Sequence, residues 1–287
     1  MEKYLDQIFS YLVTVLQSTL NQLFILFGPL LILVLLLNLS AILTARLSVR
    51  FWGRNIFLYG FGWLGCSVHE LSHAFFALIF GHKIKEITLF KPNGDGVSLG
   101  HVSHSYNKKS IYQKIGNFFI GIGPLLAAGI VLFLVILILY RSDLTKIYSF
   151  PISTQIFTDK QVLKAFIGAL YAGLLSCRNL IVGGANLNVW KFVLLIYLLY
   201  SAGSSMTLSQ SDVKGAISGF IWVVVFVLLF NLLTIWAGDF ALHLLNKMVP
   251  YIAAFYFLLI LVFGANLIFI ILLSVLNLLK ALLFYRK

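Results

Sequence analysis

The chain has 287 residues, of which 61% are hydrophobic and only 10% charged, and its mean hydropathy is +0.99. A soluble domain carries about 25% charged residues, so this composition excludes a water-soluble globular protein and points to a polytopic membrane protein. The net charge of +12 comes from lysines and arginines spread through the connections between apolar runs, where they meet anionic head groups; no basic stripe interleaved with aromatics points to nucleic acid.

A spanning helix needs roughly 20 apolar residues. Residues 1–19 mix polar and apolar positions and read as an interfacial segment. The start, MEKYLDQIF, has no basic n-region and no small-residue cleavage site, so the first apolar run is expected to be a retained anchor. That first span is predicted over Asn21–Leu43, followed by a connection carrying Arg46, Arg50 and Arg54. The second is predicted over Ile56–Phe80. Residues 81–114 then break the apolar pattern. HKIKEITLF and GVSLGHVSHS alternate loosely, and KPNGDG between them holds Asn-Gly and Asp-Gly turn formers, which predicts a β-hairpin insertion.

The third span is predicted over Ile115–Tyr140, with a polar stretch over Arg141–Lys160. Further apolar runs cover Val162–Val182, Val189–Ala202 (short for a span), Ala216–Trp236 and Tyr251–Leu279, with residues 237–250 interfacial. The expected fold is all-α and multi-pass, with about six or seven transmembrane helices, in one membrane-embedded domain over residues 1–287. The expected location is a cell membrane of bacterial type. Lysines 83, 85, 91, 108, 109 and 114 argue for a cytoplasmic hairpin, while the three arginines of 46–54 would then lie on the far side, against the same rule. Cys66 and Cys177 both sit in apolar segments and do not form a secreted disulfide framework.

The chemistry is concentrated in His69-Glu70-Leu71-Ser72-His73, an H-E-x-x-H motif inside the second span. Residues four apart share one face of a helix, so both imidazoles reach a single ion. Zinc takes such nitrogens, and the glutamate is placed as general base on a water whose pKa the metal lowers. Ionisable groups at that depth are costly and mark function. Gly60, Gly62 and Gly65 upstream permit close helix packing. A catalytic zinc needs a third protein ligand. Phe76 and Ile79 stand where a metzincin would have Gly and His, which excludes that class. Among the carboxylates, Asp212 is favoured because its polar segment enters a helix; Asp239 is the alternative. Ser209 to Asp212 is also an S-x-x-D capping box, so a purely structural role competes.

The remaining polar residues carry plainer expectations. His82, His101 and His104 read as surface or interfacial, with His101 and His104 on opposite strand faces. His243 reads as interfacial, and Cys66 as a packed small residue one turn before His69. Arg178, inside an apolar run, pairs with an acid or snorkels.

With these residues in hand, the chain resembles the site-2 proteases, a family of intramembrane zinc metalloproteases. The matching features come in order: HELSH in a span, the hairpin KIKEITLFKPNGDGVSLGHV, and NFFIGIGPLLAAG opening the next span, similar to the family's A-G-P-x-A-N with Gly123 and Pro124 as its Gly-Pro. The good match covers Gly60–Ile130. The resemblance implies a late Asp ligand; the family's Leu-Asp-Gly is here Asp212-Val-Lys-Gly215. The family's Asn-bearing stretch has only Asn186 and Asn188 as weak substrate-binding counterparts. It also implies zinc-dependent endopeptidase activity on membrane-spanning protein substrates within the bilayer. The alternatives are a non-catalytic scaffold or adaptor of the same fold and, more remotely, a transporter.

Overall fold

The computed structural model describes residues 2–92, 99–139, 189–237 and 240–284. These residues are mostly helical, with one two-stranded sheet. In chain order they form α1 (Glu2–Trp52), α2 (Arg54–Phe57), a π-helical turn (Leu58–Gly62), α3 (Trp63–Ile79), β1 (Lys83–Thr88), β2 (His101–Ser105), α4 (Ile111–Leu139), α5 (Val189–Ser205), α6 (Gln210–Thr234), a 3-10 turn (Ile235–Ala237) and α7 (Phe240–Phe284). Among the described residues, four helices are long and apolar enough to cross a membrane: α1, α4, α6 and the Phe255–Leu283 part of α7. The chain is a membrane protein on this evidence.

The expected second span, Ile56–Phe80, is instead α2, the π-helical turn and α3 in succession and is not among these four, and two further boundaries differ from expectation. The segment over 1–19 and the first span are one helix, α1, which at 1.5 Å per residue is about 76 Å long. Its only internal proline is Pro29, and nearby the Tyr256 hydroxyl of α7 donates to the Leu26 carbonyl. Likewise the segment over 237–250 is continuous with the last span in α7.

α5 and α6 run in the same direction. As residue numbers rise through Tyr200, Leu208, Phe220 and Asn231, their partners on α1 fall through Ser48, Asn38, Phe27 and Gln22. The two helices are thus one antiparallel track along α1, interrupted at Met206–Ser209. Backbone groups released at such a break need other partners. Here the Leu208 N–H donates to Asn38 Oδ1 at 3.3 Å and the Ser209 N–H to Asp212 Oδ2 at 2.7 Å.

The core lies between α1, α4, α5, α6 and α7, centred on Leu37, Leu125, Leu132, Leu259 and Val262. Polar side chains join helices inside it. Asn231 of α6 exchanges hydrogen bonds with Gln22 and donates to Thr19 of α1, and Asn266 of α7 donates to Ser40 of α1 and to the Gly203 carbonyl of α5.

The hairpin folds back along α3. Gly81, at φ 69°, ends α3 with its N–H on the Leu78 carbonyl and the His82 N–H on Ala77, a Schellman termination. From there the chain returns: Cys66 Sγ donates to Leu89, Tyr59 meets Phe90 edge-on, and Arg54 Nη2 donates to Pro92. Lys83, Lys85 and Lys114 therefore mark one end of α3, and Lys91 with Arg54 the other. Basic residues sit at both ends, which accounts for the conflicting charge signals of the sequence. β1 and β2 pair antiparallel with a bulge between Ile84 and Glu86.

Candidate metal centre

His69 and His73 project from the middle of α3. The π-helical turn ahead of them is held by α5, where Tyr197 Oη and Ser201 Oγ donate to the Gly60 and Phe61 carbonyls at 2.7 and 2.6 Å. Asp212 comes from the first turn of α6. What brings α6 to α3 is α4, thinned by glycine on both sides. A Cβ at Gly121 would lie 2.5 Å from the Asp212 carbonyl oxygen, and one at Gly123 3.3 Å from Ser72 Oγ. On α6 itself, a Cβ at Gly219 would lie 2.1 Å from the Phe118 nitrogen. At Gly121 and Gly219 the neighbour is backbone and only glycine permits the approach; at Gly123 a side chain would be merely tight.

The result is a group of three side chains that could hold a metal ion. Asp212 Oδ1 lies 3.4 Å from His73 Nε2, Asp212 Oδ2 lies 3.8 Å from His69 Nε2, and one ligand atom from each residue falls within 4.8 Å of the other two. A tetrahedral site with ligands at about 2.1 Å has edges of about 3.4 Å; the His73–Asp212 distance equals that edge, and the His69 distance, to the other carboxylate oxygen, is longer. The outer contacts fit as well. His73 Nδ1 is 2.8 Å from the Ile120 carbonyl, which accepts only, so Nδ1 carries the proton and Nε2 keeps its lone pair for a metal. Asp212 Oδ2 accepts the Ser209 N–H while Ser209 Oγ accepts the Asp212 N–H at 3.2 Å. The capping box and the carboxylate that faces the histidines are the same residue, so the two roles read as competitors in the sequence coexist.

Glu70, next to His69 and 8% exposed, lies under the hairpin. A Cβ at Gly100 would be 2.7 Å from Glu70 Cγ and 2.7 Å from the Leu89 oxygen, so glycine lets the hairpin close over this carboxylate. A small apolar groove reaches His69, lined among others by Leu64, Val68, Pro124, Leu198 and Met206. Cys66 bonds the hairpin backbone and is outside the group of three.

The hairpin histidines separate as their spacing requires. His101 is half-exposed beside Glu86, at 3.3 Å, while His104 turns to His82, Nδ1 to Nδ1 at 3.0 Å. His82 is not a surface residue as expected; it is buried, stacked on Tyr106 and bonded through Nε2 to the Gln113 carbonyl at 2.8 Å. Asn186, Asn188, Asp239, Cys177 and Arg178 lie outside the described residues, as does the side chain of His243. The sequence reading missed Ile120, Asn38 and Gly100. Of these only Ile120 had a signal, a proline four residues on. No family model, no characterised protein and no solved structure matches the chain.

Proposed function

We propose that the protein is a zinc-dependent intramembrane endopeptidase of the site-2 protease type, a divergent one, that cuts membrane-spanning protein substrates. The observation that carries this reading is the group His69, His73 and Asp212, two imidazoles and a carboxylate within ligand distance of one another and adjacent to Glu70. Two histidines and one carboxylate leave a tetrahedral zinc one open position. When bound, zinc supplies a Lewis acid that lowers the pKa of water toward about 7 and polarises a peptide carbonyl.

The chain's own residues do the rest. His73, held through Nδ1 by Ile120, and Asp212, held by Ser209, keep the ligand geometry fixed. Glu70 takes a proton from the attacking water and delivers it to the departing amine. A helical substrate shields its peptide bond, so it must unwind. The outer edge of the two-stranded hairpin offers backbone groups that an extended segment can join by strand addition. The full reading is a multi-pass protein of six or seven spans in a bacterial-type membrane, with the apolar run 162–182 added to the described helices.

The test is Glu70→Gln in the full chain in detergent or liposomes. It should keep zinc and lower cleavage of a single-span substrate by about 100-fold or more. Undiminished cleavage contradicts the assignment. Zinc binding without cleavage by the unaltered chain would fit a scaffold, and metal or proton flux across liposomes a transporter.

A further inference from the structure

We infer that Pro124 is a positioning residue: by withholding an N–H from α4 it frees the Ile120 carbonyl to fix the ring tautomer of His73. The inference rests on the metal-site reading above. In an α-helix the carbonyl of residue i accepts from the N–H of residue i+4. Residue 124 is a proline inside α4 and has no N–H. The Ile120 carbonyl is therefore left without its helical partner in the middle of an apolar helix and needs a donor from elsewhere.

His73 supplies the missing donor. Its Nδ1 lies 2.8 Å from that oxygen. A neutral imidazole carries one proton, on either nitrogen. With the proton on Nδ1, the lone pair is on Nε2, the nitrogen 3.4 Å from Asp212 Oδ1. The other tautomer would face two lone pairs toward each other at Ile120 and point an N–H at the ligand position. Restoring an N–H at residue 124 would draw the Ile120 carbonyl back to the helix axis and weaken its hold on the ring. Gly123 completes the arrangement, because a side chain there would be tight against Phe76 and Ser72. Glycine eases the approach of α4 to α3, and the proline sets which nitrogen binds.

The experiment separates the lost N–H from the rigid ring. Pro124→Ala adds an N–H. Replacing Pro124 by lactic acid, the α-hydroxy analogue of alanine, adds neither N–H nor ring. Full-length protein in detergent is titrated with zinc against a chelator, and the ring nitrogens of the metal-free protein are read by 15N NMR. Outer-shell partners of metal histidines are worth 10–100-fold in affinity, so Pro124→Ala should weaken zinc by about 10-fold while the lactic acid form stays within about twofold of the unaltered chain. The His73 signals should report an Nδ1–H tautomer in the unaltered and lactic acid forms and a mixture in Pro124→Ala. Unchanged zinc affinity and tautomer in Pro124→Ala, or equal losses in both variants, overturns the inference. If even the unaltered chain binds no zinc, the metal reading falls, and the tautomer measurement alone still decides the role of Pro124.

Discussion

Asp212 Oδ1 lies 3.4 Å from His73 Nε2, joining the first turn of α6 to the middle of α3. The other oxygen of the same carboxylate accepts the Ser209 N–H and faces His69. One side chain thus caps a helix and faces both histidines, so order at the beginning of α6 and the geometry of this group are linked.

That coupling can be separated by substitution. Ser209→Ala removes the hydroxyl that caps the Asp212 N–H but leaves the carboxylate. It should cost about 1 kcal/mol of stability and weaken zinc by less than the ~10-fold of a lost outer-shell partner, because the Ser209 N–H on Asp212 Oδ2 remains. Chelator competition and thermal melting with and without zinc measure both; no change in either would show that the cap does not orient Asp212.

The close approach of α4 and α6 makes a second prediction. Gly219→Ala drives a Cβ onto the Phe118 nitrogen, where nothing can give way. It should destabilise the protein by about 1–3 kcal/mol, as overpacking does, and lower zinc content by displacing Asp212. Gly264→Ala, where a Cβ meets nothing within 4 Å, should leave both intact. Equal effects of the two variants in a denaturant or thermal series would refute the packing argument.

The buried amide cluster of α1 and α6 holds helices together away from the metal. Asn231→Leu should lower stability by about 1 kcal/mol, the scale of an interhelical hydrogen bond in a membrane, and should leave Gln22 without its partner. Zinc affinity should not change. A shift in affinity comparable to that of Ser209→Ala would mean the cluster reaches the site.

Acid should loosen the hairpin. Burial holds His82 and His104 below the ordinary imidazole value of 6.5, and the neighbouring His82 adds to the effect at His104. A base that binds its proton less well folded than unfolded loses stability as pH falls. The hairpin's contribution should be complete above pH 6.5 and decline below it. Hydrogen exchange of the β1 and β2 amides between pH 7.5 and about 5 should rise beyond the intrinsic trend. His82→Gln together with His104→Asn should remove that excess; an excess that persists assigns it to other groups.

What could be read from the chain follows the range of the physics. His69, Glu70 and His73 were legible because four-residue spacing on a helix is local. The hairpin was legible from its turn residues. Asp212 could be favoured but not separated from a cap, since its position depends on glycines of α4 and α6 that tolerate no Cβ. The pairing of α5 with α6 into one interrupted track was hidden, because hydropathy measures length and not direction. His82 looked like a loop residue, yet the Schellman turn at Gly81 sends it inward onto Gln113 and Tyr106. Pro124 was visible, but the histidine that uses its missing N–H lies on another helix.

The most direct test of the metal centre is zinc content of the purified full-length chain, measured with its X-ray absorption spectrum. The unaltered protein and Glu70→Gln should each hold about one zinc, with nitrogen and oxygen ligands at about 2.0–2.2 Å and no sulfur. His73→Ala and Asp212→Ala should each lose it. Full zinc occupancy in Asp212→Ala, or a sulfur ligand at about 2.3 Å, would contradict the assignment of His69, His73 and Asp212.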